Sequence, residues 1–418
     1  MPMPQTQSAF PHLSADLKAI CDTGGRLTGT PSETEAVALM KTLGRRATGV
    51  DPVVQSFPYG GWKALAASLE LADGSLHACH PLVRTVPTSS AGLTAELVDL
   101  GRGTEADFAA RAGRIPGRIV LVRHELMFSA DTVHRRLKYG WAREYGAAGF
   151  LIASPLRDSP VTGSSGRTDG PGIPAAGISL ELAERLAAGE GEPVRLRIAT
   201  EESEATAENL FFDMPGSIDE WIVLSAHIDG HDLAESAMDN ATGLAVALSV
   251  AERVRGTTGR KRGVRLAFFN AEEWALTGSR LYVAGLSHRE RDAIALNVNL
   301  DTVGCGDRLT ALTSEFPNIE PLLAEASRAS GVPLGIHRPL QRNSDHANFA
   351  EAGIPAFRMV SGFDDRKAPT RLLLTEQDVR AHVDLEQLEA AASLAFEIVR
   401  LGGMAPGMDR WRNRGIGS

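Results

Sequence analysis

The segment Trp221-Ile-Val-Leu-Ser-Ala-His227-Ile-Asp229 decides the fold, because an apolar run ends here in an imidazole and a carboxylate. Two later apolar runs end in the same way: residues 264–269 before Glu272-Glu273, and residues 295–300 before Asp301. Short apolar runs of this kind are typical of buried strands in a parallel sheet. Polar groups at the carboxyl ends of such strands gather at one edge of the sheet. We therefore predict that these side chains meet in one site.

Strand-like and helical stretches alternate along the second half of the chain. The strands are predicted at 221–226, 264–269, 294–300 and 354–359, and the helices at 240–255, 277–285, 317–330 and 384–401. This alternation predicts an α/β fold in which a mainly parallel, mixed sheet is flanked by helices.

Between about residues 66 and 200 the pattern changes, because short strands dominate and a loop rich in Gly, Ser and Pro follows Asp158. We read this stretch as a small β-rich domain inserted in the chain. The predicted division is 1–65 for the first part of the main domain, 66–203 for the inserted domain, 204–402 for the rest of the main domain and 403–418 for a flexible tail.

Composition excludes several classes of protein. The 418 residues are 43% hydrophobic and 23% charged, which is ordinary for a soluble globular protein. A net charge of -9 gives no reason to expect nucleic acid or an anionic membrane as a partner. There is no run of about 18 apolar residues that could span a membrane. The start shows no secretory signal, and Cys21, Cys79 and Cys305 are few and far apart, so we expect a reducing, cytoplasmic location.

The residue types at the strand ends point to metal-dependent hydrolysis. His227 and Asp229 share a face of an extended chain, so one can bind a metal while the other orients the imidazole. Asp239 directly precedes a predicted helix, where its carboxylate could bridge two metals. Glu272 and Glu273 are adjacent and point in different directions, so Glu273 can bind metal while Glu272 takes a proton from water. Imidazole and carboxylate ligands suit zinc.

In combination, four segments resemble the motifs of metallopeptidase family 28, which includes bacterial zinc aminopeptidases and glutamate carboxypeptidases. They are His227-Ile-Asp229, Met238-Asp-Asn-Ala-Thr-Gly243, Asn270-Ala-Glu-Glu273 and Asn299-Leu-Asp301. The resemblance covers about residues 13–60 and 205–402 and implies a fold like that of the zinc exopeptidases.

The inserted stretch resembles the protease-associated domain that many of these enzymes carry. The matching segments are Gly117-Arg-Ile-Val-Leu-Val122, Ala142-Arg-Glu-Tyr-Gly-Ala-Ala-Gly149 and Ile173-Pro-Ala-Ala-Gly-Ile-Ser179. The resemblance implies a role in substrate access or docking rather than in the chemistry.

The family resemblance also implies a role for each site residue. His227 and Asp301 would bind one metal, Asp239 would bridge two metals, Glu273 would bind the second, Glu272 would be the general base and Asp229 would support His227. The implied cofactor is zinc, as one or two ions, with manganese or cobalt as alternatives. A metal-bound water would attack the carbonyl carbon, and Glu272 would accept its proton.

One departure from the family pattern is serious. The last ligand of the family is a histidine in the motif His-Thr-x-x-Asp, but this chain has Leu374-Thr375-Glu376-Gln377-Asp378 there. Leucine cannot bind a metal. Three interpretations remain open: His346 substitutes as a ligand, the site works with one metal held by His227, Asp239 and Asp301, or the site is dead and the protein binds or scaffolds.

We predict a hydrolase of amide or peptide bonds, either aminopeptidase-like or specific for small amides, because Glu272 is present as a base. The alternative is a catalytically impaired family member that acts as a binding or scaffold protein. The substrate pocket is predicted to include Arg342, Asn343, Ser344 and Asp345. Arg342 either holds a substrate carboxylate or is simply exposed. The expected partner is a peptide or small amide, with no nucleic acid and no membrane, and a homodimer is left open.

Overall fold

The computed structural model describes residues 9–167, 170–405 and 411–412. The helices are α1 Leu13–Asp22, α2 Pro31–Thr48, α3 Glu105–Ala110, α4 Arg135–Glu144, α5 Leu180–Ala188, α6 Thr242–Arg255, α7 Thr277–Gly285, α8 His288–Ala293, α9 Glu320–Ser330, α10 His346–Glu351 and α11 Leu385–Met404. The strands are β1 Val53–Glu70, β2 Leu76–His77, β3 His80–Pro81, β4 Leu93–Asp99, β5 Ile119–Arg123, β6 Gly149–Ala153, β7 Ala175–Ile178, β8 Pro193–Met214, β9 Trp221–His227, β10 Gly263–Phe269, β11 Ile294–Leu300, β12 Leu309–Leu312, β13 Leu334–His337 and β14 Ala356–Ser361.

The main domain is built on a mixed sheet with the strand order β13-β12-β14-β11-β9-β10-β8, and β1 pairs with β8. The central neighbours β14, β11, β9 and β10 are parallel, whereas β8 and β12 run antiparallel to β10 and β14. Helix α6 packs against α1, α2 and α11, and α7 packs against α10. The predicted α/β fold, a mixed sheet flanked by helices, is confirmed.

The inserted domain is joined to the main domain by two long strands. Strands β1 and β8 pair antiparallel from Val53 opposite Phe211 to Glu70 opposite Arg195, so the same ribbon belongs to the main sheet and reaches into the insertion. The predicted boundaries at 65/66 and 203/204 fall inside this ribbon. Beyond it, β4, β5, β6 and β7 form a parallel sheet that β3 closes antiparallel.

The C-terminal helix continues to Met404, and Trp411 is buried beneath the guanidinium of Arg262. Most of the tail that we predict to be flexible, residues 403–418, lies outside the described residues. Within the ranges that the structure covers, no helix has the length and apolar character needed to cross a membrane.

The central strands determine where the site lies. Strands β10 and β9 are in register with Phe269 opposite His227, and β11 pairs with β9 with Asn299 opposite Ser225. All three strands are parallel, so their carboxyl ends lie side by side. The chain segments that follow them therefore converge at one edge of the sheet.

Candidate metal centre

Three predicted metal ligands meet at this edge of the sheet. One ligand atom from each of His227, Asp239 and Asp301 lies within 4.8 Å of the other two. Nε2 of His227 is 3.0 Å from Oδ1 of Asp239 and 3.7 Å from Oδ1 of Asp301. All three side chains are buried. Three separate chain segments, the end of β9, the turn before α6 and the end of β11, thus bring their polar groups together.

The donor set fits a cation better than a hydrogen-bond network. Nδ1 of His227 lies 3.0 Å from the carbonyl oxygen of Asp229, which can only accept, so Nδ1 carries the proton. Nε2 is then the nitrogen left for a metal, and within the described part of the chain no hydrogen-bond partner satisfies it despite its closeness to Asp239. One imidazole and two carboxylates thus converge, which is a ligand set that zinc prefers.

Electrostatics favour the same interpretation. Burial by itself would lower the pKa of His227, but the carboxylates around it, with that of Glu272 foremost, raise it well above its ordinary value. Burial raises the pKa of Glu273 to about 7, and the charge of Asp239 adds to this effect. The pKa of Glu272 is also raised well above its usual range, first by burial. The site therefore holds an excess of buried negative charge, which a divalent cation would offset.

Glu272 and Glu273 line the same pocket as Asp239 and Asp301. Their position is set by Asp229, whose carboxylate accepts the backbone N–H of Glu272 at 3.0 Å and that of Glu273 at 3.1 Å. Asp229 also contacts His227, the residue that we predict it to support. Its backbone carbonyl accepts from Nδ1 of the imidazole at 3.0 Å, and its carboxylate oxygen Oδ1 lies 3.7 Å from Nδ1.

Asp301 is held by donors on its own side of the pocket. Ser344 donates its hydroxyl to Oδ2 of Asp301 at 2.5 Å, and Nη2 of Arg358 lies 3.0 Å from Oδ1. Arg358 is buried, and its guanidinium lies 4.4 Å from the ring centre of Phe128 in the inserted domain. Sequence reasoning missed Arg358, because an arginine inside the apolar run of β14 carries no spacing signal.

The four predicted substrate-pocket residues lie in different surroundings. Asn343 lines the pocket, and Ser344 holds Asp301. Asp345 is buried, and burial raises its pKa to about 7. Arg342 does not line this pocket. Its side chain is exposed and forms an ion pair with Glu351 at 2.5 Å, so of the two interpretations of Arg342 the structure supports the exposed one.

The structure does not bring His346 into the ligand cluster. Its ring is buried at the start of α10, and no residue in the described ranges gives either ring nitrogen a hydrogen bond. Within those ranges it is outside the three-residue group and does not line the pocket. Burial, reinforced by the positive charge of Arg358, lowers the pKa of His346 to about 3. In this segment Ser344, not His346, reaches Asp301.

Leu374 lies in the pocket, where the family pattern places a histidine. Its buried side chain lines the pocket with Asp239 and Glu273. The rest of the segment is also at the site, because Oδ1 of Asp378 accepts the backbone N–H of Met238 at 2.7 Å, next to Asp239. The pocket therefore has an apolar side chain at position 374, where the family motif has its last metal ligand.

The inserted domain contributes a second missed residue, Arg135, at the start of α4. Its side chain is buried and lines the pocket with Glu272 and Glu273. Nε donates to the carbonyl of Ser164 at 2.6 Å, while Nη1 has no hydrogen-bond partner among the described residues. Arg135 lies about 90 residues before the first predicted ligand, so only the fold reveals its position.

Comparison with known proteins identifies the chain. The family model described as "Peptidase family M28" matches residues 209–399, which include the metal cluster and both glutamates, and the PA domain model matches residues 81–186. The chain belongs to peptidase family M28. It carries a PA domain between the two parts of its M28 domain, so both predicted resemblances are confirmed.

Curated relatives of this M28 protein include named aminopeptidases. Aminopeptidase YwaD of Bacillus subtilis is 28% identical over 387 residues, which cover 90% of this chain and 81% of the relative. The probable lipoprotein aminopeptidase LpqL of Mycobacterium tuberculosis is 25% identical, covering 87% of this chain and 75% of the relative. Leupeptin-inactivating enzyme 1 of Streptomyces exfoliatus is 32% identical, but only over 40% of this chain and 38% of that enzyme.

Two solved structures share the whole fold of this chain. A zinc aminopeptidase from Bacillus subtilis superposes with a TM-score of 0.77 at 24% identity, covering 98% of each chain. A peptidase M28 precursor from Shewanella amazonensis gives a TM-score of 0.79 at 19% identity, covering 98% of this chain and 96% of that one. The fold of the whole chain, with the insertion included, is thus common to these chains.

Proposed function

We propose that this M28 protein is a zinc-dependent aminopeptidase that hydrolyses the first amide bond of peptides. The observation that carries the proposal is the buried cluster of His227, Asp239 and Asp301, with Glu272 and Glu273 in the same pocket. The relatives named as aminopeptidases support the substrate class. The proposed substrates also include small amides related to such peptides.

His227, Asp239 and Asp301 would hold the metal, and Asp239 and Glu273 would hold a second ion if one were bound. Zinc supplies an electrophile for the substrate carbonyl and lowers the pKa of water towards neutrality. Around it the protein contributes fixed geometry. Ser344 and Arg358 orient Asp301, and the carbonyl of Asp229 keeps the proton of His227 on Nδ1.

Glu272 is the proposed general base. It lines the pocket beside Asp301, and its backbone is fixed by Asp229, so its carboxylate is held close to the metal ligands. The raised pKa of Glu272 suits a group that accepts a proton from the attacking water and returns it to the leaving amine. The excess of carboxylates also favours a substrate with a cationic amino group, which a peptide N-terminus carries at neutral pH.

The experiment compares leucine 4-nitroanilide with its N-acetylated form, each with zinc-loaded, chelator-treated and zinc-restored protein. The proposal predicts hydrolysis of the free-amine substrate, loss of activity on chelation and recovery with zinc. The acetylated substrate should react at least about 100-fold more slowly, because acetylation removes a buried charge interaction. Equal rates on both substrates would contradict the exopeptidase assignment, and activity that survives complete metal removal would contradict the metal.

A catalytically impaired binding protein is the second candidate, and the apolar Leu374 in the pocket is the observation that favours it. The two candidates differ in turnover. A binding protein would retain a peptide without cleaving it, even after zinc is supplied. If a panel of free-amine peptides bound but stayed intact under these conditions, the second candidate would replace the first.

A cytoplasmic location is part of the proposal, supported by Cys21, Cys79 and Cys305, which are all buried and unpaired. Burial raises the pKa of Cys21 and Cys79 to about 12, which keeps both thiols protonated and slow to oxidise. Fractionation of cells followed by immunoblotting tests the location. Recovery of the protein outside the cytoplasm would contradict it.

A further inference from the structure

Two side chains of the pocket, Leu374 and Arg135, affect the position of a second metal ion. Leu374 removes a ligand from the second metal position, and Arg135 adds a buried guanidinium to the same pocket. The two side chains are direct neighbours. A Cβ atom on Gly163 would lie 2.5 Å from Nη2 of Arg135 and 2.8 Å from Cδ1 of Leu374, so both reach the space that this glycine leaves open.

We propose that Arg135 of the inserted domain supplies the positive charge that a second metal ion would bring to Asp239 and Glu273, so that this enzyme works with one metal. The inference rests on the proposed metallohydrolase function and deepens it. It assigns a role to a residue of the PA domain, and it explains how the site tolerates a leucine at position 374.

The hydrogen bonding of Arg135 supports this role. A guanidinium has five N–H donors, and burial makes each unsatisfied donor costly. Nε is used by the carbonyl of Ser164, which fixes the plane of the group. Among the residues that the structure describes, none gives the buried Nη1 a hydrogen bond. The pocket that Arg135 lines holds the carboxylates of Asp239, Glu272, Glu273 and Asp301, and it is also lined by Arg136, Arg358 and His134.

The charge balance points the same way. Burial lowers the pKa of Arg135 to about 10, while the negative charges of Glu273, Asp239 and Glu272 act to raise it, so the guanidinium is positive at neutral pH. A second divalent ion would have to approach this fixed positive charge with one ligand missing. Both effects weaken the second metal position, and the guanidinium instead neutralises part of the excess carboxylate charge.

Backbone conformation shows that a histidine could return to position 374. Leu374 has φ of 62°, in the left-handed region that histidine populates more readily than leucine. Leu374→His is therefore a conservative change for the backbone, and it restores the missing ligand. Arg135→Gln removes the charge but keeps a polar side chain, and Arg143→Gln changes an exposed arginine of the same helix α4 as the control.

The test is the zinc content of the full chain, by elemental mass spectrometry after incubation with excess zinc and desalting. We expect one zinc per chain for the wild type, Arg143→Gln and Leu374→His, and two for the double variant Arg135→Gln/Leu374→His. Thermal melting checks that each variant folds. If the double variant does not fold, the wild type and Leu374→His still decide, because both must bind one zinc.

Two zinc ions in the wild type or in Leu374→His would overturn the role of Arg135 and leave the metallohydrolase proposal intact. A folded double variant that still binds one zinc would overturn it as well. A wild type that binds no zinc would instead contradict the proposed function itself. The outcomes therefore separate failure of the inference from failure of the function on which it rests.

Discussion

Oδ1 of Asp229 accepts the backbone N–H of Glu272 at 3.0 Å, which connects the end of β9 to the loop after β10. The second carboxylate oxygen accepts the N–H of Glu273 at 3.1 Å and the hydroxyl of Thr28 at 3.1 Å. One buried carboxylate thus fixes the backbone of the proposed base and of its neighbour. These two backbone hydrogen bonds set the direction in which both glutamate side chains leave the backbone.

Asp229→Asn should therefore disturb both glutamates. In the variant an amide NH2 replaces one carboxylate oxygen and faces a backbone N–H, so two donors oppose each other. The variant should therefore lose about 1–3 kcal/mol of unfolding free energy and most of its activity. Urea unfolding of the metal-free protein and kcat measure the two effects. Asp219→Asn, at an exposed carboxylate just before β9, is the control. Wild-type stability in Asp229→Asn would show that the contact is not important.

The raised pKa of Glu273 predicts how stability depends on pH without metal. In the unfolded chain this group loses its proton near its usual value of 4.5, but in the folded protein it keeps the proton to about 7. Between pH 4.5 and about pH 7 the unfolded chain releases this proton while the folded protein keeps it, so rising pH favours unfolding. The stability that Glu273 contributes at low pH is therefore lost as pH rises through about 7. In the wild type this loss should amount to roughly 2 kcal/mol of unfolding free energy, and metal-free Glu273→Gln should not show it.

Melting temperatures of chelator-treated protein at pH 5 and pH 8 measure this difference. Glu273→Gln should equal the wild type at pH 5 and exceed it at pH 8. The control is Glu35→Gln, which changes an exposed glutamate of α2. A wild type whose pH dependence matches that of Glu273→Gln would contradict the prediction.

Zinc should stabilise the folded protein through the three-residue cluster. A ligand present at 100 times its Kd adds about 2.7 kcal/mol to the unfolding free energy, so zinc should raise the melting temperature by several degrees. His227→Ala should lose most of this increase because it removes a ligand. His288→Ala, at an exposed histidine, should keep it. An undiminished zinc response in His227→Ala would show that the metal binds elsewhere.

Arg358→Lys tests how Asp301 is held. The guanidinium lies 3.0 Å from Oδ1 of Asp301 and also donates to the carbonyls of Asp301 and Asn343, a set of contacts that one ammonium cannot reproduce. The variant should lose about 2–4 kcal/mol of unfolding free energy and bind zinc more weakly. Arg338→Lys changes an exposed ion pair and should do neither. Unchanged zinc affinity would mean that Arg358 does not orient Asp301.

The sequence alone was sufficient for most of the main domain. The apolar runs that became β9, β10 and β11 predict both the strands and the residues at their ends, because parallel strands place those ends together. Strands β12 and β13 were not predicted. Each has only four residues, and β13 is largely unburied, so neither carries a strong apolar pattern.

The sequence alone did not predict the parts of the site that depend on contacts between residues far apart in the chain. Arg135 and Arg358 enter the pocket from the inserted domain and from β14, and no spacing rule connects them to His227. His346 was a candidate because it is a histidine in a segment that borders the active site in the family, but the turn into α10 presents Ser344 to Asp301 instead. The position of Leu374 was predictable because its motif continues through Asp378, which the structure places beside Met238.

The role of Glu272 as general base is tested by the kcat of zinc-loaded Glu272→Gln on a free-amine anilide, measured beside its zinc content. We expect the zinc content to stay at the wild-type level while kcat falls by about 10²–10⁴-fold, because glutamine keeps the shape but cannot accept the proton. A variant that retains the wild-type kcat would contradict Glu272 as the base and the mechanism built on it.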